Sequence, residues 1–237
     1  MATWIAASDG SMPRRCVGRS SGRSPDGLYV GIGERCLYAL VVPTARTTVK
    51  RHPERGVYDR ATIDAILDEA LICHVGFVAD GQPFVIPTIH ARDGDTLYLH
   101  GSPGSRMLRT LKDGLDLCVT ATLLDGLVLA RAVYNHSMNY RSVVVLGRAR
   151  ELVDRVEKLQ AMECVVEHVV PGRWAEARQP NDGEIDGTTI LALPLDEASA
   201  KIRSGPPKDF DEDLGLPVWA GVIPLDLRRG RPYPADT

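Results

Sequence analysis

The sequence predicts a mainly β fold with flanking helices, built as a closed or partly closed antiparallel barrel of six strands. Short apolar runs rich in Val, Ile and Thr recur between Leu71 and Leu152, separated by Asp-Gly and Gly-rich turns. Extended helical periodicity is confined to two stretches, 59–70 and 156–169. The chain of 237 residues, 44% hydrophobic and 25% charged, is long enough to bury one sizeable core. Closing such a sheet removes the unpaired edges it would otherwise expose.

Taken in order, residues 1–50 carry seven Lys/Arg against three Asp/Glu, and Ser and Gly cluster with arginines in SMPRRCVGRSSGRSPDG. This composition predicts a flexible extension over 1–46, followed by one folded domain over 47–225 and a basic, Pro-rich tail over 226–237. Asp59 caps a helix whose buried face is Ile63, Ile66, Leu67 and Ala70. A strand over 71–79 turns at Asp80-Gly81 into a second over 83–91, where Pro87 marks an edge, a bulge or a break. The turn at Asp93-Gly94 leads to a strand over 95–100 and a short helix over 103–112. Strands 115–124 and 127–134 are joined at Asp125-Gly126, and the loop 135–139 leads to a strand over 140–152. The helix over 156–169 has a broad apolar side suited to packing on the barrel or at a subunit contact. A polar loop over 179–186, strands over 188–194 and 199–205, and a last apolar segment over 218–225 complete the domain.

The body beyond residue 50 has 21 Lys/Arg against 28 Asp/Glu, and aromatic residues make up 5% of the chain. An acidic, aromatic-poor body argues against nucleic acid as a partner. No run of eighteen apolar residues occurs, which argues against a membrane span. Five separated cysteines without a CxxC pair fit a reducing compartment, hence a cytoplasmic location. The six histidines form no HExxH and no Cys/His cluster, so no metal site is read, and no GxSxG elbow gives hydrolysis a handle.

The stretch QPFVIPTIHARDGDTLYLHGSPGSRMLR, 82–109, concentrates the chemistry. Two adjacent strands deliver polar groups beside a loop with backbone amides, Ser102, Ser105 and Arg106. Such a loop suits a phosphate with a flat ring next to it, Arg106 adding charge-assisted hydrogen bonds. The same serines also suit helix caps. Redox chemistry through a bound flavin asks little more of a protein than a phosphate seat, hydrogen bonds to a ring and a shaped cavity.

At these residues the chain resembles the pyridoxamine 5'-phosphate oxidase-like flavin-binding split-barrel superfamily, and within it the nitroimidazole-resistance-type, flavin-nucleotide-binding branch. The resemblance rests on the 82–109 stretch and the later NYRSVVVLGRAREL, in that order, and spans roughly 47–225. It implies a six-stranded Greek-key split barrel binding FMN as a homodimer, each flavin in the cleft between subunits. It implies that Val85, Ile86, Pro87, Thr88, Ile89 and His90 face the ring, mostly through backbone groups. Gly101, Ser102, Ser105 and Arg106 match the phosphate turn, and Tyr140, Arg141 and Ser142 match the strand that reaches the flavin from the other side. Trp219 resembles a late aromatic wall. His100 matches the position near the flavin implicated in reduction, and is the expected catalytic residue. The implied activity is reduction of a small, flat electron acceptor with NADH or NADPH as reductant. The alternatives are a flavin-nucleotide-binding protein without turnover, and a haem-binding split barrel using His74, His90 or His136.

Overall fold

The long hairpin of β6 (Asp116–Leu129) and β7 (Ser137–Arg148) is the spine of the structure, a computed structural model that describes residues 42–235. The expected extension over 1–46 lies, for residues 1–41, outside the described residues. Within the remainder, Arg46 ion-pairs with Glu197.

On one side of the spine, β6 pairs with β2 (Cys73–Ala79), which pairs with β3 (Gln82–Thr88). On the other, β7 pairs with β10 (Ala198–Arg203), edged by β1 (Gly56–Val57). β11 (Gly221–Pro224) pairs with the distal part of β6 and completes a seven-stranded antiparallel sheet. A second, four-stranded sheet runs β4 (His90–Asp93), β5 (Thr96–Gly101), β9 (Thr189–Pro194) and β8 (Arg150–Glu151).

The mainly β, antiparallel class holds, with the strands divided between two sheets that share one core, as in a barrel that is only partly closed. The division falls at Ile89. The stretch expected as one strand over 83–91 leaves the large sheet after Thr88 and enters the small one at His90. A second correction concerns Asp125-Gly126. It is no hairpin turn: β6 continues through it with a register shift between Leu124 and Gly126, and the chain reverses only beyond Leu129. A glycine is needed there because a Cβ would meet Val222 Cγ1 at 2.9 Å and the Ile223 carbonyl at 3.0 Å.

Both sheets turn one face to a common core. Strand alternation directs Val75, Phe77, Val119, Ala121, Val143 and Val145 inward from the large sheet, and Leu97, Leu99, Leu191 and Leu193 from the small one. Helix α1 (Arg60–Glu69), capped by Asp59 accepting from the Thr62 amide at 2.8 Å, adds Ile63, Ile66 and Leu67. Helix α2 (Arg106–Leu111) adds Met107, Leu108 and Leu111; it is shorter than the expected 103–112 because Pro103 and Gly104 remain in the preceding turn.

The outer face of the small sheet is covered by α3 (Arg155–Val169), whose Ala161, Cys164 and Val165 meet Ala91, Ile190 and Ala192 or lie in clusters with them. Part of its apolar side is thus buried within the subunit, while Val156 is 61% exposed. The expected polar loop over 179–186 contains a short helix over Asp182–Asp186, set by a capping box between Asn181 and Glu184. No helix among the described residues is long and apolar enough to cross a membrane.

Candidate functional site

β3 ends its sheet, so one of its edges is open. Pro83 and Pro87 pair across to Val78 and His74. A proline fits a ladder without loss only where its nitrogen faces away from the partner strand. Four-residue spacing then puts both nitrogens on the open edge, leaving the Val85 amide as the one donor between them, among the carbonyls of Pro83, Val85 and Pro87. Val85 is 65% exposed, and Ile86 and Ile89 are also exposed. This is an apolar strand with a sparse, defined set of backbone hydrogen-bonding groups.

His90, expected with this strand, lies elsewhere. It is fully buried on β4, with Nε2 at 2.9 Å from the Leu67 carbonyl and its ring centroid 5.2 Å from that of His168. Burial pushes its pKa down to about 4, so the ring is neutral and Nε2–H donates. Its side chain supports the C-terminal end of α1, as does His168, whose Nε2 lies 3.0 Å from the Ala70 carbonyl.

His100 is the penultimate residue of β5, opposite Ile190, and the β4–β5 register extended by one residue places it across from Ile89. It is half-buried. Burial lowers its pKa, and Nδ1 is a buried atom without a hydrogen-bond partner. That leaves one buried ring nitrogen at this position open to a hydrogen-bonding partner.

After Gly101 the chain makes a tight turn. The Ser105 amide donates to the Ser102 carbonyl at 2.9 Å, and the Gly104 amide donates to Ser102 Oγ at 3.2 Å. Ser105 stands at the N-cap of α2, yet its side chain makes no cap bond and stays available. Arg106 is exposed, forms no ion pair among the described residues, and lies with Cζ 4.8 Å from the centre of the Phe84 ring. Phe84 is itself stacked on Phe77 with centroids 5.6 Å apart. The cation therefore sits at the root of β3. Phe84 was not among the expected site residues, although its place in the QPFVIP run was the available signal.

The remaining expected residues are not brought to this place within one subunit. Arg141 holds Glu69 at 2.5 Å and Asp125 at 2.8 Å, which raises its pKa and commits the guanidinium. Ser142 Oγ donates to the Lys201 carbonyl at 3.2 Å. Tyr140, Arg141 and Ser142 lie on β7, three strand spacings from β3, roughly 14 Å at about 4.8 Å each. Trp219 is 63% exposed and rests on Gly221, where a Cβ would meet its ring at 2.8 Å. Gly221 pairs with Leu129, whereas Val85 is level with Cys118 on the same β6. Eleven residues at about 3.3 Å put these two places roughly 36 Å apart.

Residues 59–202 match the family described as Pyridoxamine 5'-phosphate oxidase. The chain belongs to this family. No curated protein matches the sequence. Among solved structures, this family member is 43% identical to the flavocytochrome Anf3 from Azotobacter vinelandii, covering 81% of this chain and 90% of that one with a TM-score of 0.77. It is 36% identical to an FAD and haem binding protein from Mycobacterium smegmatis, over 76% and 89% of the two chains, with a TM-score of 0.74. A candidate 5-nitroimidazole antibiotic resistance protein from Bacteroides thetaiotaomicron is 25% identical over 62% and 86%, with a TM-score of 0.52.

Proposed function

We propose that this protein is a flavin-dependent oxidoreductase that works as a homodimer. The flavin ring lies along the open edge of β3, and its phosphate lies at Ser102, Ser105 and Arg106. The observation that carries this reading is the pairing, within one subunit, of an open apolar strand edge with a guanidinium that has no carboxylate partner. Most other ordered arginines of the domain are committed: Arg60, Arg92, Arg141, Arg148, Arg150 and Arg178 all hold carboxylates. The orphaned Nδ1 of His100 supports the same fit.

A flavin, as FMN or as that half of a larger flavin, supplies hydride and single-electron chemistry when bound. The protein's part is to bind, orient and exclude water. The Val85 amide and its neighbouring carbonyls set the ring's register on β3. His100, kept neutral by burial, serves as a hydrogen-bonding group toward ring or substrate rather than as a fixed charge. The substrate is a small, flat electron acceptor, and NADH or NADPH is the reductant; the setting is cytoplasmic.

The distances above favour a second copy of the chain. Tyr140–Ser142 and Trp219 stand too far along the sheet to meet the same subunit's β3, so any role they have at a flavin is at the partner's. The outer face of the large sheet suits such a contact, with Val78 56%, Val85 65% and Leu124 51% exposed.

A second reading adds haem. It is favoured by the two relatives at 43% and 36% identity, one described as a flavocytochrome and the other as binding FAD and haem. Of the histidines considered as ligands, His90 is buried and bonded to Leu67, and His136 accepts from the Ala130 amide at 3.2 Å. His74 is exposed on the outer face of β2 opposite Pro87, with no partner among the described residues. An imidazole beside the flavin strand can ligate iron there.

The test is an absorbance spectrum of the purified full chain, followed by titration with flavin. Bands near about 375 and 450 nm support the flavin, and an added Soret band near about 400 nm that His74→Ala abolishes supports the haem. Arg106→Ala weakens flavin binding by about tenfold to a hundredfold, the value of a hydrogen bond to a charged group. Unchanged affinity removes the phosphate assignment. Bound flavin without turnover of any acceptor leaves a flavin-nucleotide-binding protein.

A further inference from the structure

We propose that the buried guanidinium of Arg203 receives the anionic group of the acceptor, so that the substrate is a small flat molecule bearing a carboxylate. This rests on the flavin reading above and names the substrate class of the same site. Arg203 ends β10 directly opposite Tyr140, which that reading places at the partner's flavin. Residues so paired have Cβ atoms about 4.5–5.5 Å apart, so both stand at one end of the sheet.

Arg203 is 7% exposed, and its hydrogen-bond partners are all neutral. Nη1 donates to Asn139 Oδ1 and, at 3.2 Å, to the Gly205 carbonyl; Nη2 donates to the Pro206 carbonyl at 3.3 Å. Asn139 is held in turn by its Nδ2, which donates to the Gly205 carbonyl at 3.2 Å. An arginine has five N–H donors. These bonds leave Nε–H and one Nη2–H without a partner among the described residues. Those two nitrogens share one edge of the guanidinium, the fork that takes both oxygens of a carboxylate.

Arg203 forms no ion pair among the described residues. Burial lowers its pKa and Arg55 lowers it further, with Tyr140 alone opposing. Arg55 is thus a second positive charge nearby, and its own partner Glu54 is 3.8 Å away and 61% exposed. A buried cation without a counter-charge is costly, and a fold removes that cost with a carboxylate where one is at hand. Candidates are at hand, since Asp209, Asp211, Glu212 and Asp213 follow closely in the chain. Yet Asp209 turns to Arg131 at 2.7 Å, and the loop gives Arg203 only carbonyls. The carbonyls fix the guanidinium without neutralising it. A fixed fork in a dry setting, its charge still unmet, is what recognition of an anion requires.

The experiment is calorimetric titration of the full chain, with and without added flavin, using para-nitrobenzoate and para-nitrobenzamide, one flat electron acceptor as acid and as neutral amide. Expected is binding of the acid about tenfold tighter than the amide or more, the value of hydrogen bonds to a charged group, and a ratio of about one in Arg203→Gln. An arginine that only braces the loop would change stability in that variant and leave the ratio alone. Arg203→Lys keeps the charge and loses the fork, so the preference shrinks but persists. Equal affinity of the parent chain for acid and amide overturns the proposal, whether or not either variant folds. An unchanged ratio in Arg203→Gln overturns it as well. If the parent shows no preference and Arg203→Gln turns a dimer into a monomer by light scattering, the fork holds a carboxylate of the second copy, and the substrate proposal falls. Preference for the acid in a chain that binds no flavin leaves the anion site standing and refutes the flavin reading instead.

Discussion

Acid should destabilise this protein through His90 before its carboxylates titrate. The ring is fully buried, its Nδ1 has no partner, and its pKa in the folded chain is pushed down to about 4 by burial, against 6.5 for an ordinary histidine. The titratable groups that act on it are His168 on α3, whose ring lies 5.2 Å away, and Asp68 on α1, which is itself held by Arg92 at 2.5 Å. Because the folded value lies below the unfolded one, the unfolded chain takes up a proton as pH falls through 6.5 while the folded chain does not. Stability is therefore complete above about pH 7 and is lost progressively as pH falls from there toward 4. The loss reaches about 2 kcal/mol at pH 5 and levels off near 3 kcal/mol below pH 4, from 1.36 kcal/mol per unit. Urea unfolding of the chain and of His90→Phe, followed by circular dichroism at pH 7, 6 and 5 in one state of cofactor loading, measures it. The variant loses about 1–3 kcal/mol at pH 7, since the Leu67 carbonyl is left without its donor, but it lacks this share of the pH slope. Parallel pH dependences in the two proteins would refute the argument.

His100→Ala should lower acceptor turnover far more than flavin occupancy, read by steady-state assay beside the 450 nm absorbance; equal turnover would remove His100 from the mechanism. Asp59→Ala should cost about 1 kcal/mol in urea unfolding, because the Thr62 amide loses its cap at the start of α1. Light scattering at micromolar concentration should give twice the chain mass, and a charge placed on the open sheet face by Val85→Asp should shift it to the monomer.

The elements that the sequence showed best are those whose signal is local. The Asp59 cap and the Ile63, Ile66, Leu67 stripe define α1 without help from the rest of the chain. So do the turns at Asp80-Gly81 and Asp93-Gly94, where both glycines take positive φ. Asp125-Gly126 carries the same dipeptide and forms a bulge instead, because β11, almost a hundred residues later, packs against Gly126 and keeps β6 extended. Likewise nothing near Ile89 announces that the chain changes sheets there. The partition is decided by β9, which pairs with β5, and by β6, which pairs with β2.

At the site, residue type was legible and commitment was not. Arg106 and Arg141 are alike as letters, and both were expected at the flavin. Arg141 finds Glu69 from α1 and Asp125 from the bulge, a pairing made only by the tertiary fold, whereas Arg106 is left facing an aromatic ring. A guanidinium between two carboxylates is poorly placed to take a phosphate, since the anion would have to displace partners already bonded to it. What separates binding arginines from structural ones here is the set of acids that the fold brings, or does not bring, within reach.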